Sequence, residues 1–192
     1  MEKTDQELVS EYFKGDANAL DTLVTRHLKS IYNFAWRQTG NAEEANDIAQ
    51  EVFVKAWKNL KRYDPNQNFK TWIMAIARNT SIDWLRKRRA LSFSDLDNKY
   101  TEETFEETLV DKEPLPDEAF ERGEAKGVVD ELMKELTEVQ RSAITLRVTE
   151  DLPFEEIAAI MKKPVNTVKS YYRRGLLAMR KKLLKNDGSA PN

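Results

Sequence analysis

Apolar residues recur along this chain at steps of three and four, and capping signals mark where each run begins and ends. Thr4 with Glu7 three residues on forms a capping box, and Gly15 stops the helix it opens. Asp16 caps a second helix whose apolar positions include Leu20, Leu23, Val24, Ile31, Phe34 and Ala35, ending at Gly40. Asn41 followed by Glu44 opens a third. Its apolar set, Ala45, Ile48, Ala49, Val52, Phe53, Ala56, Trp57 and Leu60, alternates steps of three and one without a break, as one buried helical stripe does. Asp64-Pro65 interrupts the pattern, and a fourth helix follows from about Asn68 with Phe69, Trp72, Ile73, Ile76, Ala77 and Leu85 inward. The periodicity fades from about Leu91 to Pro116. It returns over Asp117–Leu136, from a Thr137/Gln140 capping box through Val148, over Phe154–Met161, and from Val165 to Leu184. In the last helix Val165, Val168, Tyr172, Leu176, Met179 and Leu183 make an inward stripe.

The expected fold class is all-α, with two small helical domains joined by an acidic flexible linker. The boundaries are 1–90, a linker over 91–125, a helix-turn-helix domain over 126–185 and a tail over 186–192. The 6 Gly and 6 Pro in 192 residues argue against a many-turned β sandwich. Absent cysteine excludes disulfides, thiolate catalysis and cysteine-ligated zinc, and a single His27 excludes multi-histidine metal sites. No run approaches the ~18 apolar residues of a membrane span, and the start lacks the pattern of a signal peptide. A cytoplasmic location without membrane insertion is expected.

The net charge of −2 conceals strong segregation. Residues 61–90 carry eight basic and two acidic residues, 91–124 carry three basic and twelve acidic, and 162–185 carry nine basic and none acidic. Two basic blocks thus flank an acidic one, whose charge is expected to shield the basic faces in the free protein. A 26-residue tether at about 3.5 Å per residue would allow the two modules to lie up to roughly 90 Å apart.

The break at Lys162-Lys163-Pro164 between two helices suggests a helix-turn-helix. Asn166, Lys169, Ser170, Arg173 and Arg174 fall opposite the apolar stripe, near the N-terminus of the second helix, where base edges are read. An ordinary helical hairpin with a solvated cationic face is the alternative. The fourth helix mixes Trp72, Arg78, Asn79, Asp83, Trp84 and Arg86–Arg89, a composition suited to unpaired bases and their backbone. Core packing of Trp72 and a solvated basic helix end are the plain alternatives. Asp47 and Glu51, four apart on one face, are conceivable metal ligands, but an acidic face for a basic partner accounts for them as well. No metal or other cofactor is expected.

Three motifs together resemble the bacterial RNA polymerase sigma factors of the sigma-70 family. Asp47-Ile-Ala-Gln-Glu-Val-Phe-Val-Lys-Ala-Trp57 is similar to their core-binding helix. Phe69-Lys-Thr-Trp-Ile-Met-Ala-Ile-Ala-Arg-Asn79, followed by Asp83-Trp-Leu-Arg86, is similar to their −10 element helix. Leu152–Met161 with Pro164-Val-Asn-Thr-Val-Lys-Ser170 resembles their −35-binding helix-turn-helix. Order and spacing match the extracytoplasmic-function (ECF) group, which retains conserved regions 2 and 4. The resemblance implies a promoter-specificity subunit with no catalytic residue of its own. It implies docking on the β′ clamp helices of core polymerase through Asp47, Gln50, Glu51, Phe53 and Trp57, with the C-terminal module at the β flap. It implies −10 DNA contacts from Asn59, Tyr63, Lys70, Ile76, Arg78, Asn79, Asp83 and Arg86, and −35 contacts from Asn166, Thr167, Lys169, Ser170, Arg173 and Arg174. An anti-sigma factor is the further partner it implies. Two rival readings remain: a stand-alone helix-turn-helix regulator, which binds its operator without polymerase, and a metal-dependent nucleic-acid enzyme built on Asp47 and Glu51.

Overall fold

A computed structural model describes residues 3–95 and 127–187, and every regular element among them is helical. In chain order these are α1 (Asp5–Phe13), α2 (Ala17–Thr39), α3 (Ala42–Asn59), a 3₁₀ turn (Leu60–Arg62) and α4 (Phe69–Asp95). The second half holds α5 (127–134), α6 (Glu138–Ile144), a π-helical turn (Thr145–Thr149), α7 (Phe154–Met161) and α8 (Val165–Asp187). The acidic segment beyond Asp95 and the final residues beyond Asp187 lie outside the described residues.

The helix starts follow from local side chains. Glu7 N–H donates to Thr4 Oγ1 at 3.2 Å while Thr4 N–H donates to the Glu7 carboxylate at 2.8 Å, which closes the capping box. Asp16 and Asn41 accept the Asn18 and Glu44 N–H groups at 3.0 Å each. Gly40 ends α2 in the left-handed conformation, at φ 71°. Helices α2, α3 and α4 then pack around Leu23, Ile31, Phe34, Ile48, Val52, Phe69, Ile73 and Met74, none of which has measurable exposure beyond 1%. Each such side chain contributes about 1.5–3 kcal/mol relative to exposure.

Helix α1 is fastened to this bundle by charge. Asp5 accepts from Arg26 Nη1 at 2.5 Å and lies 2.8 Å from His27 Nε2, and Arg26 Nη2 reaches the Lys3 carbonyl at 2.9 Å. The buried His27 ring stands 5.3 Å from Phe69, so the single histidine of the chain packs in the core while its Nε2 holds Asp5.

In the C-terminal half, Gln140 Oε1 accepts the Thr137 N–H at 3.1 Å and starts α6. The π-helical turn that follows ends at Thr149, and Asp151, at a φ of 52°, redirects the chain into α7. Lys162, also left-handed at φ 51°, closes α7 and makes the turn to α8. The expected inward stripe of α8 needs correction. Val168 is fully buried, but Leu176 and Leu183 are exposed, at 41% and 39%. The helix meets α6 instead through Gly175, where a Cβ would lie only 2.6 Å from Ile144 Cδ1. Rotation toward that close approach turns Leu176 outward, and the distal part of α8 extends past the small module it packs on.

The two halves are not held apart. Helix α7 packs against α4, α6 and the π turn pack against α2, and buried apolar residues from both halves join in one cluster, with Met133, Leu136 and Ile144 in a second, smaller one. Polar contacts cross the same seam. Arg141 Nη1 donates to the Gln38 carbonyl at 2.7 Å, Lys70 Nζ donates to the Glu150 carbonyl at 2.8 Å, and Thr71 hydrogen-bonds Glu156.

Two measurements check this account. Burial pushes the Asp5 carboxyl up, but hydrogen bonds and charge from His27 and Arg26 outweigh it and hold the group below its ordinary value. A carboxylate lowered on folding adds stability above its unfolded pKa and loses it as pH falls through the folded value. Asp5→Asn is therefore expected to cost about 1.5–3 kcal/mol near neutrality, and the gap should close below about pH 4. Urea midpoints measured across that range test it, and a pH-independent gap removes the ion-pair explanation. Gly175→Leu is expected to cost about 1–3 kcal/mol by overpacking against Ile144, although Leu favours helix over Gly by nearly 1 kcal/mol. Thermal melting of the full chain decides the sign.

Candidate nucleic-acid interface

Helices α3 and α4 pack side by side, and their facing edges leave a cleft of about 450 Å³. Lys55, Asn59 and Arg62 line it from the α3 side, and Trp72, Ile76, Asn79 and Thr80 from α4. The spacing explains this. Lys55 and Asn59 are one turn apart, as are Trp72, Ile76 and Thr80, so each set stands on one face of its helix. Trp72 forms an aromatic wall held from behind, with Tyr63 at 5.3 Å and Phe69 at 5.4 Å between centroids. The Tyr63 hydroxyl donates to the Gln67 carbonyl at 2.6 Å, and burial raises its pKa, which keeps that donor protonated. Asn59 Nδ2 donates to the Lys55 carbonyl at 2.8 Å, and Lys55 Nζ reaches both Thr80 Oγ1 at 3.1 Å and Glu51 at 2.8 Å. The cleft thus combines an aromatic wall, an aliphatic floor at Ile76, the exposed amide of Asn79 and two cations. A flat, apolar heterocycle with hydrogen-bonding edges and a neighbouring phosphate suits such a lining.

Of the eight positions expected to meet −10 DNA, the structure brings Asn59, Ile76 and Asn79 into this cleft. Tyr63 supports it from the core and does not line it. Asp83 and Arg86 pair with each other at 2.5 Å and line an adjoining groove with Glu51, Trp84 and Lys87. Lys70 and Arg78 lie outside the cleft, toward the C-terminal half. Lys70 pairs with the buried Glu150 at 3.2 Å, and Arg78 is half-buried beside Glu138 and Tyr171. Burial lowers the Arg78 pKa against the opposing pull of Glu138, and among the described residues its Nε has no hydrogen-bond partner. Lys55, Arg62 and Thr80 line the cleft without having been expected there. Their signal was the one-turn spacing, which identifies a shared site only once α3 and α4 are known to be neighbours.

The outer face of α3 presents Asp47 and Gln50 to solvent, with Glu51 partly exposed. Val54 continues this strip at 49% exposure, an apolar surface position that the expected docking set lacked. Phe53 turns inward instead, at 8% exposure, and stacks on the half-buried Trp57 with centroids 6.0 Å apart. Phe53 therefore shapes this helix from within. Among the described residues no three His, Asp or Glu side chains stand together as a metal ion needs, and Glu51 is committed to Lys55.

On α8, Asn166, Lys169, Ser170, Arg173 and Arg174 are exposed along one face, with Thr167 partly covered. Ser170 Oγ donates to the Asn166 carbonyl at 2.9 Å. Lys169 lies over the Phe154 ring at 5.7 Å and Arg147 lies over it at 5.4 Å. Phe154 in turn packs edge-on to Tyr172 at 5.5 Å, which ties the start of α7 to α8. The arrangement offers hydrogen-bonding and cationic groups on the exposed face of the leading half of α8, whose other face packs on α6 and α7. No helix among the described residues is long and apolar enough to cross a membrane.

Comparison with known proteins places both surfaces in recognised segments. Residues 23–91 match the family model for sigma-70 region 2, and residues 126–179 match that for sigma-70 region 4. The ECF RNA polymerase sigma factor SigW of Bacillus subtilis is 34% identical over 184 residues, covering 95% of this chain and 98% of the relative. The ECF RNA polymerase sigma-E factor of Escherichia coli K12 is 37% identical over 170 residues, 87% of each chain. Among solved structures, CnrH in complex with the cytosolic domain of CnrY matches with a TM-score of 0.68 at 21% identity, over 98% of this chain and 100% of that one. The sigma factor RpoE in complex with the anti-sigma factor NepR from Bartonella quintana matches at 0.65 and 24% identity, over 86% and 96%. These two likenesses are of fold.

Proposed function

This chain belongs to the ECF group of sigma-70 RNA polymerase sigma factors, and we propose that it divides promoter recognition between the α3–α4 cleft and the exposed face of α8. The observation that carries this reading is the cleft itself, where Trp72, Ile76, Asn59 and Asn79 meet Lys55 and Arg62. In the proposed mechanism the cleft takes an unstacked base of the −10 element while cations of α4 hold the adjoining backbone. Lys169, Ser170, Arg173 and Arg174, with Asn166 and Thr167, meet the −35 duplex in the major groove. Single-strand capture by one unit (1–90) and duplex reading by the other (126–185) stabilise the opened promoter.

Core polymerase supplies the chemistry of RNA synthesis, and this chain supplies specificity without catalysis, in the cytoplasm. Asp47, Gln50, Glu51 and Val54 form the proposed contact with the β′ clamp helices, backed by Phe53 and Trp57. The outward Leu176, Leu177, Leu183 and Leu184 at the distal end of α8 give the β flap an apolar surface. An anti-sigma factor is the proposed inhibitory partner. The Bartonella RpoE of like fold is held by one, NepR.

Gel filtration with sigma-free core polymerase tests the docking face. The wild-type chain is expected to comigrate with core, and Asp47→Lys/Glu51→Lys is expected to elute alone. Failure of the wild type to comigrate rejects the reading. For α8, replacing Arg173 or Lys169 by Ala is expected to cost about 1–3 kcal/mol in holoenzyme binding to a matched promoter if the residue reads a base. An equal loss on a promoter scrambled at −35 reduces that residue to a phosphate contact.

A further inference from the structure

Two cations of α4 are paired with acids of the opposite half, and a third lies in the field of one of those acids. Lys70 Nζ lies 3.2 Å from the Glu150 carboxylate and donates to the Glu150 carbonyl at 2.8 Å. Arg89 lies 3.9 Å from Glu138, and Arg78 is half-buried within reach of the same carboxylate. Glu150 is the most committed member. Its side chain is only 3% exposed, and Ser30 of α2 donates to its carboxylate while Lys70 of α4 pairs with it. The π-helical turn Thr145–Thr149 and the left-handed Asp151 on either side deliver this residue into the seam. In an open chain it would stand at the surface of the C-terminal module, where a carboxylate is solvated at no cost.

We propose that Glu150 is an internal phosphate surrogate: it occupies Lys70 in the free chain, latches the C-terminal module over α4, and must be displaced before Lys70 can hold the −10 strand. The proposal rests on the proposed function, with Lys70 among the α4 cations that hold the −10 backbone, as the family resemblance implies.

The chemistry of the seam supports an exchange. A carboxylate on lysine and a phosphate on lysine are equivalent charge-assisted contacts, so one anion can replace the other with little net loss. Burial of Glu150 costs desolvation that the pair only offsets, which keeps closure shallow. Gln38 Nε2 and Thr145 Oγ1 at the same seam lack hydrogen-bond partners among the described residues, a further cost of the closed state. Apolar packing of α7 on α4 holds the seam closed, and these charged and unpartnered groups weaken that hold. A latch closed in all but a small fraction of molecules lowers apparent DNA affinity by that fraction. Two carboxylates within the folded modules thus cover cations of α4 by themselves, while the shielding expected of the acidic 91–124 segment lies outside the described residues.

The test compares Glu150→Lys with Asp151→Lys in the full chain. Both make the same change of charge, one residue apart, but Asp151 is 97% exposed and already left-handed, a conformation Lys162 shows lysine can take here. Fluorescence anisotropy with a labelled single-stranded −10 oligonucleotide reads affinity, and small-angle scattering reads closure. Glu150→Lys is expected to enlarge the radius of gyration and to bind about tenfold tighter than Asp151→Lys, as release from a ~90% closed state requires. Equal affinities, or an unchanged radius, overturn the proposal.

A second variant guards against misfolding of the first. The chain has no cysteine, so Thr71→Cys/Glu156→Cys can be bridged by a cleavable bismaleimide across the seam. Bridging is expected to suppress oligonucleotide binding about tenfold or more, and cleavage to restore it. Undiminished binding in the bridged form overturns the latch. Lys70→Ala in the Glu150→Lys background separates the two possible failures. If it leaves binding unchanged, Lys70 is not a DNA contact and the proposal falls with that assignment. If it weakens binding while Glu150→Lys gives no gain over Asp151→Lys, Lys70 stands and the latch alone falls.

Discussion

Helix α4 is gripped by α2 and α3 along one side and by α7 along another. Phe69, Ile73, Met74 and Ala77 have almost no exposed surface, and at about 25 cal/mol per Å² such burial dominates the placement of the helix. Because helical residues recur every 3.6 positions, sinking that stripe sets the rotation of every other residue on α4. Trp72, Ile76 and Asn79 are thereby turned toward α3, where Lys55 and Asn59 complete a cleft. Lys70 and Arg78 are turned toward the C-terminal half. One packing event thus creates both the nucleic-acid surface and the seam that covers part of it.

The two grips differ in kind. Apolar packing within the first module has no substitute in water, and it keeps the cleft walls rigid. The seam to the second module mixes apolar contact with charges that solvent or a polyanion can satisfy equally well. Arg141 illustrates this. It spans the Met133, Leu136 and Gln38 carbonyls, and burial lowers its pKa against the opposing pull of Glu138. Such a guanidinium stays charged, so the strain of its burial falls on the closed arrangement. The proposed reading surface is therefore held by apolar packing, and the proposed cover partly by contacts that another anion can replace.

Residue-level legibility tracked the range of the interactions. Thr4 with Glu7, Asp16, Asn41 and Thr137 with Gln140 all mark helix starts that the structure contains, because a cap is made within three residues of itself. The unbroken stripe from Ala45 to Leu60 was legible for the same reason, and the residues of that stripe are buried as it implied, with Trp57 only partly covered and Val54, off the stripe, exposed. The α8 stripe was only partly right. Leu176 satisfies the period but Gly175 satisfies the packing, since the missing Cβ admits Ile144. Periodicity counts apolar residues and does not register a position whose value is its emptiness.

Sequence alone determined the all-helical class, the capped helix starts, the segregation of charge and the family, since each is written in short patterns or ordered motifs. Tertiary structure alone decided which residues share a site. Lys55, Arg62 and Thr80 joined Asn59, Ile76 and Asn79 because α3 and α4 are neighbours in space. Lys70 met Glu150, eighty residues further on, because two modules readable separately in sequence fold against each other. A cation's partner is chosen by distance in space, and charge pairing leaves no periodic trace along the chain from which that distance could be read.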